Sequence, residues 1–401
     1  AAAGYATKAA TDFESAFAGV RKTVDATEEQ LNELETGIRD MSKELPSSAN
    51  EIAAVAESAG QLGIQTDNIL GFSKAMIDLG NATNMSANEA ASALAQFANI
   101  TQMSQKDFDR LGAVIVDLGN NSATTEKDIV NMGMRLAGAG KQVGMTEAQI
   151  MAISAALASV GIEAEAGGSA FSKVMVNMQL AASKGGKDLD NFAKVAGMSS
   201  SEFAKAYKEN AAGAITAFVS GLGKLKESGG DAIGTLDDMG ITEVRMRDAL
   251  LRSAGAGDVL SESIDRASKA WDENNALTKE AEQRYGTTES KMKIAKNEID
   301  DAAITIGKNL LPVVADLAGG LADAAQAFGS MDPAAQKAVI ALLGVVAGIG
   351  PVLKVTGNLT SGIGKASSAI GKFAQKLAEK KAAEVASTAA TEGLSGAIGG
   401  A

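Results

Sequence analysis

Residues 13–45, FESAFAGVRKTVDATEEQLNELETGIRDMSKEL, decide the fold expected at the start of the chain. Apolar residues recur there at alternating steps of four and three, the spacing of a helix that packs along one narrow seam. Thr27 is the single polar residue in this series, and Pro46 ends the helix because proline cannot continue the hydrogen-bond ladder. The seam consists of Phe13, Phe17, Val20, Val24, Leu31, Leu34, Ile38, Met41 and Leu45.

This spacing predicts a coiled-coil helix over residues 1–46 that associates with other copies of the chain. A helix docked on its own domain usually shows a wider apolar stripe with a period of about 3.6 residues. Docking within one chain nevertheless stays open as the alternative. The mixture of Phe, Val, Ile and Leu at equivalent positions does not specify an oligomer number.

The composition favours an all-α protein. Glycine supplies 44 of 401 residues, aromatic residues make up 4%, and there are four prolines. Long alternations of Val, Ile and Thr are few, which leaves little material for strands. Because the chain opens with Ala-Ala-Ala-Gly and no Met, we expect a fragment or a processed product. The predicted regions are a coiled-coil helix (1–46), a compact helical core domain (47–270), long amphipathic helices (271–330), a hydrophobic, membrane-active helical segment (331–372) and a weakly ordered tail (373–401).

The chemistry available to the side chains argues against catalysis. The chain has no His and no Cys, which removes the commonest general base, thiolate nucleophiles and the usual transition-metal ligands. The carboxylates are spread over helix faces without an evident pair. A net charge of −12 disfavours a sequence-independent grip on nucleic acid. We therefore expect no catalytic residue, no cofactor, no metal and no specific nucleic-acid binding.

Between residues 47 and 257, hydroxyl residues mark the predicted helix starts. Ser or Thr followed three residues later by Glu or Gln fits the capping box, and apolar residues on either side fit the hydrophobic staple. The capping boxes are Ser86 with Glu89, Thr146 with Gln149 and Ser199 with Glu202, and the staples are Met103 with Phe108, Met145 with Ile150 and Met198 with Phe203.

A short internal echo lies in the same region. Residues 77–81 (IDLGN) resemble residues 116–120 (VDLGN), each followed by a polar loop and another helical pattern. The echo predicts a duplicated helical hairpin. Two copies do not support a solenoid, which needs three or more.

A second apolar series with steps of three and four begins near Asn275, and Pro312 within its extension predicts a kink or a break. Its members are Tyr285, Thr288, Met292, Ala295, Ile299, Ala302, Ile306 and Leu310.

Residues 338–353, AVIALLGVVAGIGPVL, contain no charge. A membrane-spanning helix needs roughly 20 apolar residues, so this stretch is short and Pro351 interrupts it. Three interpretations stay open: a permanent span, conditional insertion, and burial in a helical core. The predicted membrane-active residues are Val339, Ile340, Leu342, Leu343, Gly344, Val345, Val346, Gly348, Ile349, Val352 and Leu353.

The order of these segments resembles the core region of phage tail tape measure proteins. The resemblance lies in residues 53–80 (AAVAESAGQLGIQTDNILGFSKAMIDLG), 83–100 (TNMSANEAASALAQFANI) and 144–161 (GMTEAQIMAISAALASVG). Residues 309–316 (NLLPVVAD) and 330–350 (SMDPAAQKAVIALLGVVAGIG) resemble the segment that follows the core in that family. No single motif is diagnostic, but the ordered set is specific.

The resemblance implies a structural protein of the tail tube lumen that contributes to tail length, tail assembly and genome ejection. The implied partners are the chain itself as a trimer or higher homo-oligomer, tail tube and tail-tip or baseplate proteins, tail assembly chaperones, and the host membrane during ejection. A released pore-forming helical toxin is the alternative, which a secretion signal would favour. A carboxylate-dependent cell-wall hydrolase is disfavoured, since no Asp/Glu pair with sugar-stacking aromatics is evident.

Overall fold

A computed structural model describes residues 2–255 and 257–330; within these ranges it describes the backbone alone at residues 2, 3, 257 and 313–329. Within these ranges every regular element is helical, which confirms the predicted all-α class. Short 3-10 and π-helical turns lie at Thr66–Asn68 and Ala164–Gly168. The α-helices are α1 (Ala2–Thr23), α2 (Glu28–Glu44), α3 (Ala49–Gln61), α4 (Ile69–Ala82), α5 (Ala87–Thr101), α6 (Phe108–Asn121), α7 (Glu126–Gln142), α8 (Glu147–Ser159), α9 (Ser169–Lys184), α10 (Lys187–Ala196), α11 (Ser200–Glu209), α12 (Ala211–Glu227), α13 (Ala232–Asp238), α14 (Val244–Ala254), α15 (Gly257–Glu273), α16 (Ala276–Tyr285) and α17 (Thr288–Gly329).

The N-terminal coiled-coil segment is two helices, not the single helix that the heptad spacing predicts. Thr27 has an extended backbone and is the N-cap of α2. Its hydroxyl accepts a hydrogen bond from the Gln30 N–H (3.3 Å), and its own N–H donates to Gln30 Oε1 (3.0 Å). This capping box satisfies the first amides of α2 and ends the continuity with α1.

The three predicted capping boxes form at Ser86, Thr146 and Ser199, each reciprocated by the Glu or Gln three residues later. Ser48 and Glu51 make a further one at the start of α3. The staple of Met103 with Phe108 predicts a helix start at Ser104, and this prediction is wrong. There the Ser104 hydroxyl accepts from the Lys106 N–H and closes a turn, so that α6 begins at Phe108.

One contiguous apolar core runs through the described helices. In the N-terminal half, α1 lies on α3, and α4 contacts α3, α5 and α6; α7 and α8 extend this layer. Phe72 and Phe108 meet edge to face, with centroids 4.7 Å apart. Around α12, a second aromatic group joins Phe192 to Phe218, with centroids at 5.3 Å. Aromatic residues are few, and these two pairs join α4 to α6 and α10 to α12.

The predicted duplication has a structural counterpart in two helical hairpins, α4–α5 and α6–α7. Each echo ends the first helix of its hairpin. A Cβ built on Gly80 would lie 2.7 Å from the Ala87 backbone nitrogen, and one built on Gly119 would lie 2.6 Å from the Glu126 side chain. Glycine at this position therefore lets the next helix start close by.

Residues Ala1–Asp316 form one compact unit; of the second, Leu317–Ala401, the structure describes only the end of α17 and Ser330. The helix α17 continues through Pro312, so of the kink or break predicted there the break is absent. Among the described helices, none has the length and apolar character to cross a membrane. The hydrophobic residues 338–353 lie outside the described residues, and the five proposed regions stay a prediction.

Candidate interaction surfaces

The N-terminal seam lies inside the molecule. α1 packs mainly on α3, and α2 packs on α3 and α4, so the same chain covers the seam. Met41 is partly buried. In this fold the seam is an internal packing face, the alternative left open by the sequence, while self-association itself stays a prediction. The buried seam residues are Phe13, Phe17, Val20, Val24, Leu31, Leu34, Ile38 and Leu45.

A C-terminal strap, which we define as α15, α16 and residues 288–311 of α17, folds back over the N-terminal half. α15 lies on α6 and α8, and α16 lies on α4 and α6. Leu260, Ala267 and Ala270 of α15 are buried, as are Leu277 and Ala281 of α16. The strap is thus part of the core of this unit.

The two echoed aspartates both bind the strap. Asp78 accepts hydrogen bonds from the Tyr285 hydroxyl (2.5 Å) and from Lys74 Nζ (2.6 Å) and is almost fully buried. Asp117, the equivalent residue of the second hairpin, pairs with Arg266 at 3.5 Å. Burial and the neighbouring Asp78 carboxylate raise the pKa of Tyr285, which keeps its proton on the shared hydrogen bond. The two duplicated hairpins therefore bind neighbouring strap helices through the equivalent aspartate.

The junction between α15 and α16 is held by two polar contacts from α6. Arg110 donates to the Trp271 carbonyl (2.8 Å), and Asp109 accepts from the Asn274 amide (2.6 Å). Asn274 has a φ of +46°. Asn tolerates this left-handed conformation better than most residues, which suits it to the link between the two helices.

Residues 288–311 of α17 dock through a face that combines polar contacts with the buried Ala303 and Ile304. The buried Asn297 amide donates to the carbonyls of Ser42 (3.0 Å), Leu45 (3.2 Å) and Ser47 (2.9 Å). These carbonyls lie at and just past the end of α2, where a helix lacks intrahelical partners. Asp301 accepts from Arg39 Nε at 2.6 Å, with both side chains mostly buried.

The same face continues toward α1. Lys308 pairs with Glu35, and the Tyr5 hydroxyl donates to Asp300, whose hydrogen bond raises the pKa of that tyrosine. A Cβ built on Gly307 would lie 2.0 Å from the Ala6 carbonyl oxygen. The two helices cross too closely there for any side chain.

The opposite face of α17 is exposed and apolar. Met292, Ile299 and Ile306 are 69%, 63% and 54% exposed. They belong to the apolar series that begins near Asn275, and they lie seven residues apart. We call them, with Ala295 and Ala302, the α17 stripe.

An open groove of about 910 Å³ lies between α5 and α7. Glu89 and Lys127 pair across it at 2.9 Å, and Arg135 and Glu165 pair at 3.9 Å. Because its charges are already paired, the groove offers no free charge to select a ligand. In the part of the chain that the structure covers, no cluster of acidic residues has metal-binding geometry.

Sequence reasoning missed the strap contacts. The contacts of Asn297 with Ser42 and of Asp78 with Tyr285 join residues more than 200 positions apart, so no local pattern indicates them. The repeated Asp of the echo was an available signal, because the aspartate of each copy contacts a helix of the strap, Asp78 by a hydrogen bond and Asp117 by an ion pair. The predicted membrane-active residues 339–353 lie outside the described residues.

Two comparisons with known proteins bear on identity. Residues 35–239, just over half of the chain, match the family model described as phage-related minor tail protein. A 114-residue stretch is 30% identical to the tape measure protein of Pneumococcus phage Dp-1, covering 28% of this chain and 10% of that relative. No solved structure matches the chain. The chain belongs to the family of phage-related minor tail proteins.

Proposed function

We propose that this chain is a structural region of a tape measure protein that lies in the tail tube lumen and contributes to tail length and assembly. The observation that carries the proposal is the family match together with the similarity to a named tape measure protein. The ordered segments quoted from the sequence support the same assignment. The proposal gives the chain no catalytic step.

The helical architecture supports a contribution to length but not a tape made of this region alone. At about 1.5 Å per residue, the 42 residues of α17 span roughly 63 Å. The remaining described helices fold back on one another instead of extending. We propose that this region acts as a folded module of a longer tape, since the matched stretch covers 10% of the relative.

The proposed partners are copies of the same chain, tail tube proteins, tail-tip or baseplate proteins and tail assembly chaperones. A net charge of −12 suits a protein that DNA displaces from the tube and does not grip. The acidic balance therefore fits departure of the protein ahead of the genome.

The location is tested in the particle that carries this chain. An epitope inserted after Gly229, in the turn between α12 and α13, should be found in purified tails, protected from antibody and protease before ejection and lost from the tails afterwards. Detection of the epitope on the outside of intact tails, or its absence from tails, contradicts a luminal role. An epitope on an external tail protein serves as the accessible control.

We propose further that residues 338–353 contact the host membrane during genome delivery, because this stretch carries no charge and no other part of the chain is as apolar. The purified chain should release dye from anionic phospholipid vesicles. Leu343→Asp with Val346→Asp should abolish release, and Ile233→Asp with Val244→Asp should not. Equal release by both double variants would contradict the proposal.

A further inference from the structure

The α17 stripe is an apolar face without a partner in its own unit. A helix on a globular unit normally buries its apolar face and exposes its polar one. Between residues 288 and 311, α17 buries Asn297 together with Ala303 and Ile304, yet leaves three large apolar side chains on its outer side. Asn297, Asp301 and Lys308 face the unit, and Met292, Ile299 and Ile306 face solvent.

Helical geometry places these two faces on opposite sides. At about 100° per residue, Met292, Ile299 and Ile306 lie within about 40° of one another. Asn297, Asp301 and Ile304 centre about 170° away from them. A partner on the stripe therefore does not compete with docking of α17 on its own unit.

The spacing of the stripe fits another helix with the same spacing. Met292, Ile299 and Ile306 recur every seven residues, and Ala295 and Ala302 occupy the intervening heptad positions. Large residues that alternate with alanines let two such helices approach closely and interdigitate.

Charge also favours an identical partner at this place. Residues 288–311 contain four lysines (291, 293, 296, 308) and four acidic residues (289, 298, 300, 301), so their net charge is zero in a chain of −12. Lys293 pairs with Glu289, and Lys296 pairs with Asp300, along the edges of the stripe. Two copies meet here without the repulsion that the whole chain imposes elsewhere.

We infer that the α17 stripe is the self-association surface of this protein, which pairs with the stripe of a second copy while the opposite face of α17 stays docked on its own unit. This inference rests on the proposed function and gives its self-association a surface. The α17 stripe takes the place of the N-terminal seam as the proposed self-association surface, because helices of the same chain cover the seam. One face of α17 thereby binds a second copy, and the opposite face binds the folded unit of its own chain.

The test is the mass of the full 401-residue chain in solution, by sedimentation equilibrium at tens of micromolar. The unaltered chain should be larger than one chain of 40.6 kDa. Ile299→Asp with Ile306→Asp should reduce the mass to one chain while helicity is unchanged, because both residues are exposed. The matched control is Ile233→Asp with Val244→Asp, which alters two exposed apolar residues outside α17 and should keep the mass.

Asn297→Ala tests the independence of the two faces. It should keep the oligomer mass while amides at the end of α2 exchange faster. The inference would be overturned if the unaltered chain were monomeric or if the oligomer survived the stripe substitutions. It would also be overturned if the control variant or Asn297→Ala lost as much mass as the stripe variant. A monomer that still enters the tail lumen refutes only this surface, whereas a chain absent from tails refutes the proposed function.

Discussion

Thr27 shows how one side chain redirects a helix. In the heptad series it is the only polar member, and its apolar neighbours suggest a tolerated interruption within one long helix. Its hydroxyl instead caps the amide of Gln30, and the backbone at Thr27 is extended. The chain can then turn, so that α1 and α2 both reach α3.

Replacement of Thr27 by Ala should therefore destabilise the start of α2. Loss of an N-cap hydroxyl costs roughly 0.5–2 kcal/mol of stability. The matched control is Thr36→Ala, which alters an exposed threonine in the middle of the same helix, where Ala is the better helix former. Chemical denaturation of both variants gives the comparison, and equal stability of the two would contradict the role of the cap.

Glu89 makes the cap of α5 sensitive to acid. The Ser86 backbone N–H, then Lys127 and the Ser86 hydroxyl, lower the pKa of Glu89 from 4.5 to about 2. Because the folded pKa lies below the unfolded value, its contribution is complete above pH 4.5 and is lost as the pH falls toward 2. An NMR titration should show the low pKa together with faster amide exchange at the start of α5 over this range. In Glu89→Gln the side chain does not titrate, so the acid-dependent rise in amide exchange at the start of α5 should disappear. If the rise persisted in this variant, a group other than Glu89 would cause it.

At the scale of the helix, α17 is held by hydrogen bonds to backbone carbonyls at the end of α2. Asn297 reaches three carbonyls at the end of α2 across about 250 residues of sequence. The apolar contribution falls along the strap, from several buried side chains in α15 to Ala303 and Ile304 in this part of α17. Polar contacts therefore carry a larger share of the docking of α17 than of α15.

Asn297→Ala should consequently loosen α17 and the end of α2 together. Buried acceptors left without a donor cost about 1–3 kcal/mol. Asn131→Ala is the control, since Asn131 is an exposed asparagine on α7. Hydrogen exchange should show faster opening at residues 42–47 in the first variant and no change in the second. Unchanged protection in both variants would mean that apolar contacts alone dock the helix.

At the scale of the whole molecule, the N-terminal seam behaves as core. Leu34 is 3% exposed, so Leu34→Asp places a charge among apolar side chains. We expect a loss of at least about 4 kcal/mol in the free energy of unfolding, seen by circular dichroism during denaturation. The exposed control, Val244→Asp, should keep the native stability. If Leu34→Asp kept the native stability and only dissociated an oligomer, the seam would again be interpreted as an oligomer interface.

The strap closes this unit by joining its last described helices to its first. Asp78 and Asp117 receive α16 and α15 respectively, and Arg39 and Asn297 connect α2 to α17. These contacts join residues far apart in sequence, and closing such long loops costs conformational entropy. The strap therefore ties the two ends of this unit together.

The sequence by itself determined the all-α class, the helix starts at Ser86, Thr146 and Ser199 and the duplicated hairpin. These depend on interactions within a few residues, such as the hydroxyl of Ser199 and the carboxylate of Glu202 satisfying adjacent amides. Only the tertiary structure decided which apolar face is covered. The N-terminal seam and the α17 stripe have the same spacing of three and four, yet one is buried and the other exposed. Spacing reports that a helix has an apolar face, whereas the partner of that face depends on packing between residues far apart in sequence, such as Asn297 with Ser42.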